Sequence, residues 1–229
     1  MIKRTFLAAL LFVAACATTP VADPSGPMNL TALKEQLRAY HDTGAYERDI
    51  AAVAAEARAW IVQRAPQVSR PAMVFDIDET VLSNWNRMLA NDYGYFTDGP
   101  CDQLPRGPCG ALAHENNALA EPIAPMLALY NDARAAGVTV FFITGRRETQ
   151  RAGTEANLRR AGFTEWGSVT LRPMETSTPS ASDYKGPARA AIEAQGYTII
   201  ANLGDQQSDL DGGHAERTFL VPNPYYRIH

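Results

Sequence analysis

The sequence predicts an α/β fold: a Rossmann-like, mostly parallel sheet with helices on both faces and a small insert after the first strand. Three observations carry this reading. Short apolar runs rich in β-branched and aromatic residues recur at 71–75, 138–143, 168–171, 197–203 and 218–221, the pattern of strands buried on both faces. Segments with helical spacing separate most of them, and such alternation builds parallel sheets. The runs also end in residues that carry chemistry: Asp76 and Asp78 after the first, Thr144, Gly145 and Arg146 after the second, Gly204 and Asp205 after the fourth.

Taken in order, residues 1–16 read as a targeting segment. Lys3-Arg4 precedes an apolar run over 6–17 that is too short to span a bilayer. The run holds Val13-Ala14-Ala15-Cys16, which resembles the lipobox of bacterial lipoproteins, in which the cysteine is lipidated and becomes the mature N-terminus. The alternative is an ordinary secretory signal cut nearby. Both place the mature chain outside the cytoplasm. Ala17, where aspartate would favour the inner membrane, suggests an outer-membrane lipoprotein facing the periplasm or the surface. Residues 17–28, rich in Pro, Ser, Thr and Gly, read as a flexible tether. The domain is expected over 29–229.

Helical spacing appears at 29–40 through Leu30, Leu33 and Leu37, and again at 46–64 through Ile50, Val53, Ala54, Ala57 and Ile61, ending before Pro66. After the first strand, 84–110 reads as an irregular, cap-like insert, too long for a plain connection. Its Trp85, Tyr93, Tyr95 and Phe96 either stack a nucleobase or simply pack the insert. Cys101 and Cys109 form an even pair in an oxidising compartment and are expected to be disulfide-bonded, with two free thiols as the alternative. A short helical segment spans 111–120. A helix is expected over 121–136, with Pro122 in its first turn and Gly137 ending it. Further helices are expected over 148–161, closed by Gly162, and over 187–195, with Lys185 at its start.

Composition bounds the function. With 229 residues, 46% of them hydrophobic and 20% charged, the chain fills one packed domain and is not disordered. A net charge of −4 without a basic stripe disfavours duplex nucleic acid as a partner.

In a parallel sheet the strand ends share one edge, where ligands bind. Asp76 and Asp78, two residues apart in extended chain, both ionise only with a cation between them. Oxygen ligands favour a hard ion, Mg²⁺ over Zn²⁺. The plain alternative is a strand end capped by solvated acids. Thr144, Arg146, Lys185, Asp205 and Asp209 add a hydroxyl, two cations and two more carboxylates to the same rim. The chemistry that needs this mixture is phosphoryl transfer to an aspartate.

Six stretches carry a family resemblance. They are Phe75-Asp76-Ile77-Asp78-Glu79-Thr80, Thr144-Gly145-Arg146, and Asn157-Leu158 with Ala161-Gly162-Phe163. Then come Tyr184-Lys185 with Arg189, Gly204-Asp205-Gln206-Gln207-Ser208-Asp209-Leu210, and Val221-Pro222-Asn223-Pro224-Tyr225-Tyr226. Together they resemble the haloacid-dehalogenase-type (HAD) phosphohydrolases. The similarity is closest to the branch holding plant acid phosphatases, vegetative storage proteins and bacterial class B and C acid phosphatases.

The resemblance implies a Mg²⁺-dependent acid phosphatase acting on small phosphomonoesters, with nucleoside monophosphates the substrates of class C relatives. Asp76 would be the nucleophile, forming an aspartyl-phosphate, and a Mg²⁺ ligand. Asp78 would protonate the leaving oxygen and then deprotonate water, its backbone carbonyl touching the metal; an acid optimum follows if it must carry a proton. Thr144, beside Gly145, would hydrogen-bond the phosphoryl group and Lys185 would neutralise it. Asp205 would ligate the metal, with Asp209 acting directly or through water. Arg146 would hold substrate phosphate or brace the site, unless it is a surface ion pair. The rival reading is a catalytically weak storage or binding protein of the same fold, since storage proteins of this branch can lack the nucleophile. A phosphate-accepting receiver domain is shorter and lacks an aspartate at nucleophile-plus-two. The lipid anchor would supply the membrane contact, and homo-oligomerisation stays open.

Overall fold

The fold is laid down around one central strand. Pro71–Phe75 (β1) has four side chains, Ala72 to Phe75, that are essentially buried. Strand pleating sends Met73 and Phe75 to one face and Ala72 and Val74 to the other. The structure is a computed structural model and describes residues 26–173 and 180–228. Cys16, the targeting segment, most of the tether and part of the loop before Lys185 lie outside the described residues.

The remaining strands are β2 (Leu82–Ser83), β3 (Glu121–Pro122), β4 (Thr139–Arg147), β5 (Val169–Arg172), β6 (Thr198–Gly204) and β7 (Thr218–Leu220). The helices are α1 (Leu30–Asp42), α2 (Ala45–Arg64), α3 (Trp85–Ala90), α4 (Ala111–Asn116), α5 (Ala124–Ala135), α6 (Arg151–Arg160), α7 (Ser182–Glu193) and α8 (Gln207–Leu210). Five strands form a wholly parallel sheet in the order β5-β4-β1-β6-β7. The larger core lies on the Met73/Phe75 face, where α2 and α5 contribute Ile50, Ala57, Ile61, Met126 and Leu129. A smaller cluster on the other face packs Val74, Phe141, Ile143 and Ile199 against Ile192 of α7. Each such large apolar side chain contributes about 1.5–3 kcal/mol on burial. Helices therefore cover both faces, as expected.

Register fixes where the chemistry lands. Phe75 pairs with Phe142 of β4 and with Leu203 of β6. The next residues along each strand are Asp76, then Thr144 two on, and Asp205 two on. The Asp76 backbone N–H donates to the Leu203 carbonyl at 2.9 Å, so the ladder continues to Asp76.

Three expectations about elements need correction. The insert is not wholly irregular: it opens with α3, and β2 pairs antiparallel with β3. Because Glu121 and Pro122 are used in that pairing, the helix expected from 121 starts at Ala124, and its first-turn proline is Pro125. α7 begins at Ser182, so Lys185 lies inside it and Pro187 sits on its second turn. There the proline withholds a single bond, the one to the Asp183 carbonyl.

Cys101 and Cys109 are joined as a disulfide. Asn91 ties the same loop to α3 by donating to the Cys109 carbonyl at 2.7 Å and accepting from its N–H at 2.9 Å. The insert's aromatic residues divide in two. Trp85 stacks on His41 with ring centroids 3.9 Å apart and meets Tyr93 and Tyr225, which is packing. Tyr95 and Phe96 are exposed. No helix among the described residues is long and apolar enough to cross a membrane.

Candidate active site

Every predicted site residue of the strand ends comes to one rim. Asp76, Thr144, Arg146, Lys185, Asp205 and Asp209 are all buried there. A cavity of about 720 Å³ opens onto that rim, lined by Asp76, Asp78, Gly145, Arg146, Lys185 and Asp209 among others.

Lys185 is the centre of the charge arrangement. Its Nζ donates to Asp76 Oδ1 and, at 2.6 Å, to Asp209 Oδ1. Burial alone would lower the lysine pKa, but Asp76 and Asp209 raise it, so it stays an ammonium. Burial drives the Asp76 pKa well above the usual carboxylate range; Lys185 opposes this, and the nearby carboxylates reinforce it. Burial and Asp209 likewise push Asp205 up to about 7.

Asp209 is placed by a close approach. A Cβ on Gly204 would sit 2.4 Å from Asp209 Cβ, so only glycine allows α8 to fold back over the end of β6. The Gln206 N–H donates to Asp209 Oδ2 at 3.0 Å. Arg189, fully buried in α7, donates to the Asp209 carbonyl at 2.7 Å, and Asn202 does so at 3.1 Å. Asp205 accepts from Gln206 Nε2 at 2.5 Å and from Asn223 Nδ2 at 2.7 Å.

Asp78 points into a different set of partners. Arg146 grips it in a fork, Nη2 to Oδ1 at 2.7 Å and Nε to Oδ2 at 3.0 Å, and Asn84 donates at 2.9 Å. Burial would raise the Asp78 pKa, but the Arg146 charge and hydrogen bonds outweigh it and hold it at about 2. The Arg146 side chain is 1% exposed, so this is no surface ion pair; it both grips Asp78 and lines the cavity. The proton that an acid role needs is disfavoured in this arrangement. The Arg146 backbone N–H also donates to Thr144 Oγ1 at 3.2 Å.

Several site groups escaped sequence reasoning. Glu79 adopts φ 53°, in the left-handed region, within a turn closed by Val81 and Leu82 N–H groups on the Ile77 carbonyl. Its carboxylate accepts from the Asn84 N–H at 2.8 Å and from the Tyr226 hydroxyl. Burial and Asp78 raise its pKa to about 7. The signal was present, since Glu79 lies in the first motif and Tyr226 in the last. Glu115 and Arg87, contributed by α4 and α3, had no motif to betray them.

The acidic residues fit a cation. One carboxylate oxygen from each of Asp76, Asp205 and Asp209 lies within 4.8 Å of the others, and all three residues are buried. Three buried carboxylates against one lysine leave a negative excess that low-dielectric surroundings do not tolerate. An all-oxygen donor set suits a hard divalent ion. The Asp78 carboxylate is outside this cluster.

Comparison with known proteins then decides the family. Residues 14–229 match the family described as HAD superfamily, subfamily IIIB (acid phosphatase). The chain belongs to this acid phosphatase family. Among its relatives, the stem 28 kDa glycoprotein of Glycine max is 39% identical over 164 residues, covering 69% of this chain and 61% of that protein. Acid phosphatase 1 of Solanum lycopersicum is 36% identical over 162 residues, covering 69% and 60%. The chain thus spans about three-fifths of the length of these relatives. The class C acid phosphatase from Bacillus anthracis with tungstate bound superposes with a TM-score of 0.66 at 20% identity, over 85% of this chain and 86% of that one. That likeness shows the HAD-type fold.

Proposed function

We propose that this member of the acid phosphatase family hydrolyses small phosphate monoesters through an aspartyl-phosphate on Asp76. The observation that carries the proposal is Lys185 held between Asp76 and Asp209 on the rim of an open cavity. Asp76 attacks phosphorus and the ester oxygen leaves; water then attacks the aspartyl-phosphate, releasing inorganic phosphate and restoring the carboxylate. Lys185 and the Thr144 hydroxyl hold the phosphoryl oxygens. Lys185 is placed so that its charge follows the transferring group without reorganisation. Arg146 and Asn84 aim the Asp78 carboxylate and keep it ionised, the form that takes a proton from the attacking water, and its basicity rises as the Arg146 pair loosens. Giving a proton to the leaving oxygen first requires the Arg146 pair to loosen. Asp76, Asp205 and Asp209 would hold the cation, Mg²⁺ on our reading, with the Asp78 carbonyl. When bound, that cation supplies charge neutralisation to an anionic ester approaching anionic side chains.

Support for nucleoside monophosphates narrows to Tyr93 and Tyr95, the insert aromatics that line the cavity; Trp85 is used in packing and Phe96, though exposed, is not part of that lining. We read the enzyme as tethered to the cell envelope through Cys16, on the strength of Lys3-Arg4, the apolar run and the small residues before that cysteine. The storage reading is disfavoured because Asp76 and every partner it needs are present and assembled.

The test is turnover of p-nitrophenyl phosphate by the protein before and after exhaustive chelation. We expect steady release of nitrophenol, loss of nearly all of it with EDTA, and recovery with Mg²⁺. No turnover with the metal supplied would contradict the enzyme, and full activity after chelation would contradict the metal.

A further inference from the structure

α3 carries a charged side chain that the proposed reaction leaves unused. Arg87 is only 6% exposed, yet its Nε has no hydrogen-bond partner. Among the described residues no carboxylate comes within 4.0 Å of its guanidinium nitrogens. Burying an arginine without a counter-ion costs on the order of several kcal/mol, which a fold tolerates when a ligand repays it. Arg87 lines the same cavity as Asp76 and Asp78, and the Tyr95 ring centroid lies 5.6 Å from its Cζ.

The side of the cavity is informative. Arg87 stands in the first turn of α3, whose N-cap residue Asn84 donates to Asp78, the residue assigned to the leaving oxygen, and all three line the same cavity. Glu115 lines the same pocket but makes no ion pair with Arg87 within 4.0 Å, and its carboxyl accepts from Gln150 instead. Lys185 and Thr144 already serve the phosphoryl group, so Arg87 faces what departs.

We propose that Arg87 receives a second anionic group, a carboxylate or a phosphate, borne by the leaving alcohol. The preferred substrates are then phosphomonoesters whose alcohol is itself an anion. This rests on the phosphatase reading above. A cavity of about 720 Å³ has room for both ends of such a molecule, and the exposed Tyr95 flanks the arginine at the outer side. A guanidinium presents a planar fork matched to carboxylate and phosphate oxygens.

The test compares kcat/KM for phenyl phosphate, 4-carboxyphenyl phosphate and 1,4-phenylene bisphosphate in the full-length protein with Mg²⁺. A charge-assisted contact predicts a preference of about tenfold or more for the anionic esters. Arg87→Gln should bring that ratio towards one, and Arg87→Lys should keep part of it. Preference for only one of the two anionic esters names the group that Arg87 takes. A wild-type ratio at or below one, or the same ratio in Arg87→Gln, would overturn the proposal. Equilibrium binding of benzylphosphonate against 4-carboxybenzylphosphonate reads the same ratio without turnover. A chain that turns over no ester yet binds the carboxylated phosphonate about tenfold tighter would refute the phosphatase reading and keep the anion site; equal binding would refute the site.

Discussion

At the scale of single residues, two cation–carboxylate contacts organise the rim, one buried on both sides at Lys185 and one at Arg146 whose Asp78 partner is 22% exposed. Lys185 stands between Asp76 and Asp209, where phosphoryl oxygens would arrive in the proposed reaction, and Arg146 holds the Asp78 carboxylate. The two are not interchangeable: an ammonium is a compact point charge, while the guanidinium fork sets an orientation. Removing one member of such a pair strands the other. Because Asp78 is 22% exposed and can be solvated once alone, Arg146→Ala should cost about 1.5–3 kcal/mol in urea-unfolding free energy, and a loss under about 1 kcal/mol, the size of an exposed pair, would show that the contact is not structural.

At the scale of elements, α8 and α4 each make a checkable demand. α8 is seated by the absence of a side chain at Gly204. Gly204→Ala places a methyl 2.8 Å from Asp209 Oδ2 and should drive Asp209 away from Lys185. We expect kcat/KM on an aryl phosphate to fall about tenfold or more, for an overpacking cost of about 1–3 kcal/mol in stability; unchanged kinetics would mean that α8 can shift without consequence.

α4 buries His114, whose Nε2 meets Asn86 Oδ1 at 2.8 Å. Burial, then the charges of Arg87 and Arg146, lower its pKa to about 4. As pH falls below about 6.5 the unfolded chain takes up a proton that the folded one refuses, so stability is lost down to about pH 4, by about 3 kcal/mol in all. Glu79, Glu115 and Asp205, whose pKa values are raised, act in the opposite sense over the same range. The comparison is therefore between variants: from pH 7 to 4.5 wild type should lose about 2–3 kcal/mol more than His114→Gln. Parallel losses would place the histidine outside the linkage.

At the scale of the whole molecule, the register of a parallel sheet does most of the assembly. β1, β4 and β6 were legible because a strand buried on both faces has no polar alternation to confuse it, and their ends pointed to Asp76, Thr144 and Asp205. Lys185 and Asp209 were legible from their places beside the fourth apolar run and Arg189 only through the family resemblance, although their roles depend on α7 and α8 packing together. What stayed hidden is set by contacts distant in sequence. Pro122 looked like a helix start because its pairing with Leu82 cannot be read from either stretch alone. Arg146 was compatible with a surface position because nothing local shows that it is covered. Arg87 sits in a stretch that read as irregular, and its burial depends on how the insert folds over the rim.

The central claim is that this rim turns Asp76 into the group that accepts phosphate. It is tested most directly by acid-quenching the enzyme within one turnover of a phosphomonoester and mapping the phosphorylated peptide by mass spectrometry. The account predicts one phosphate on Asp76, formed and lost at the rate of turnover and missing in Asp76→Asn, which should be inactive yet folded. Active enzyme with no label on Asp76, or with label on another residue, would contradict it.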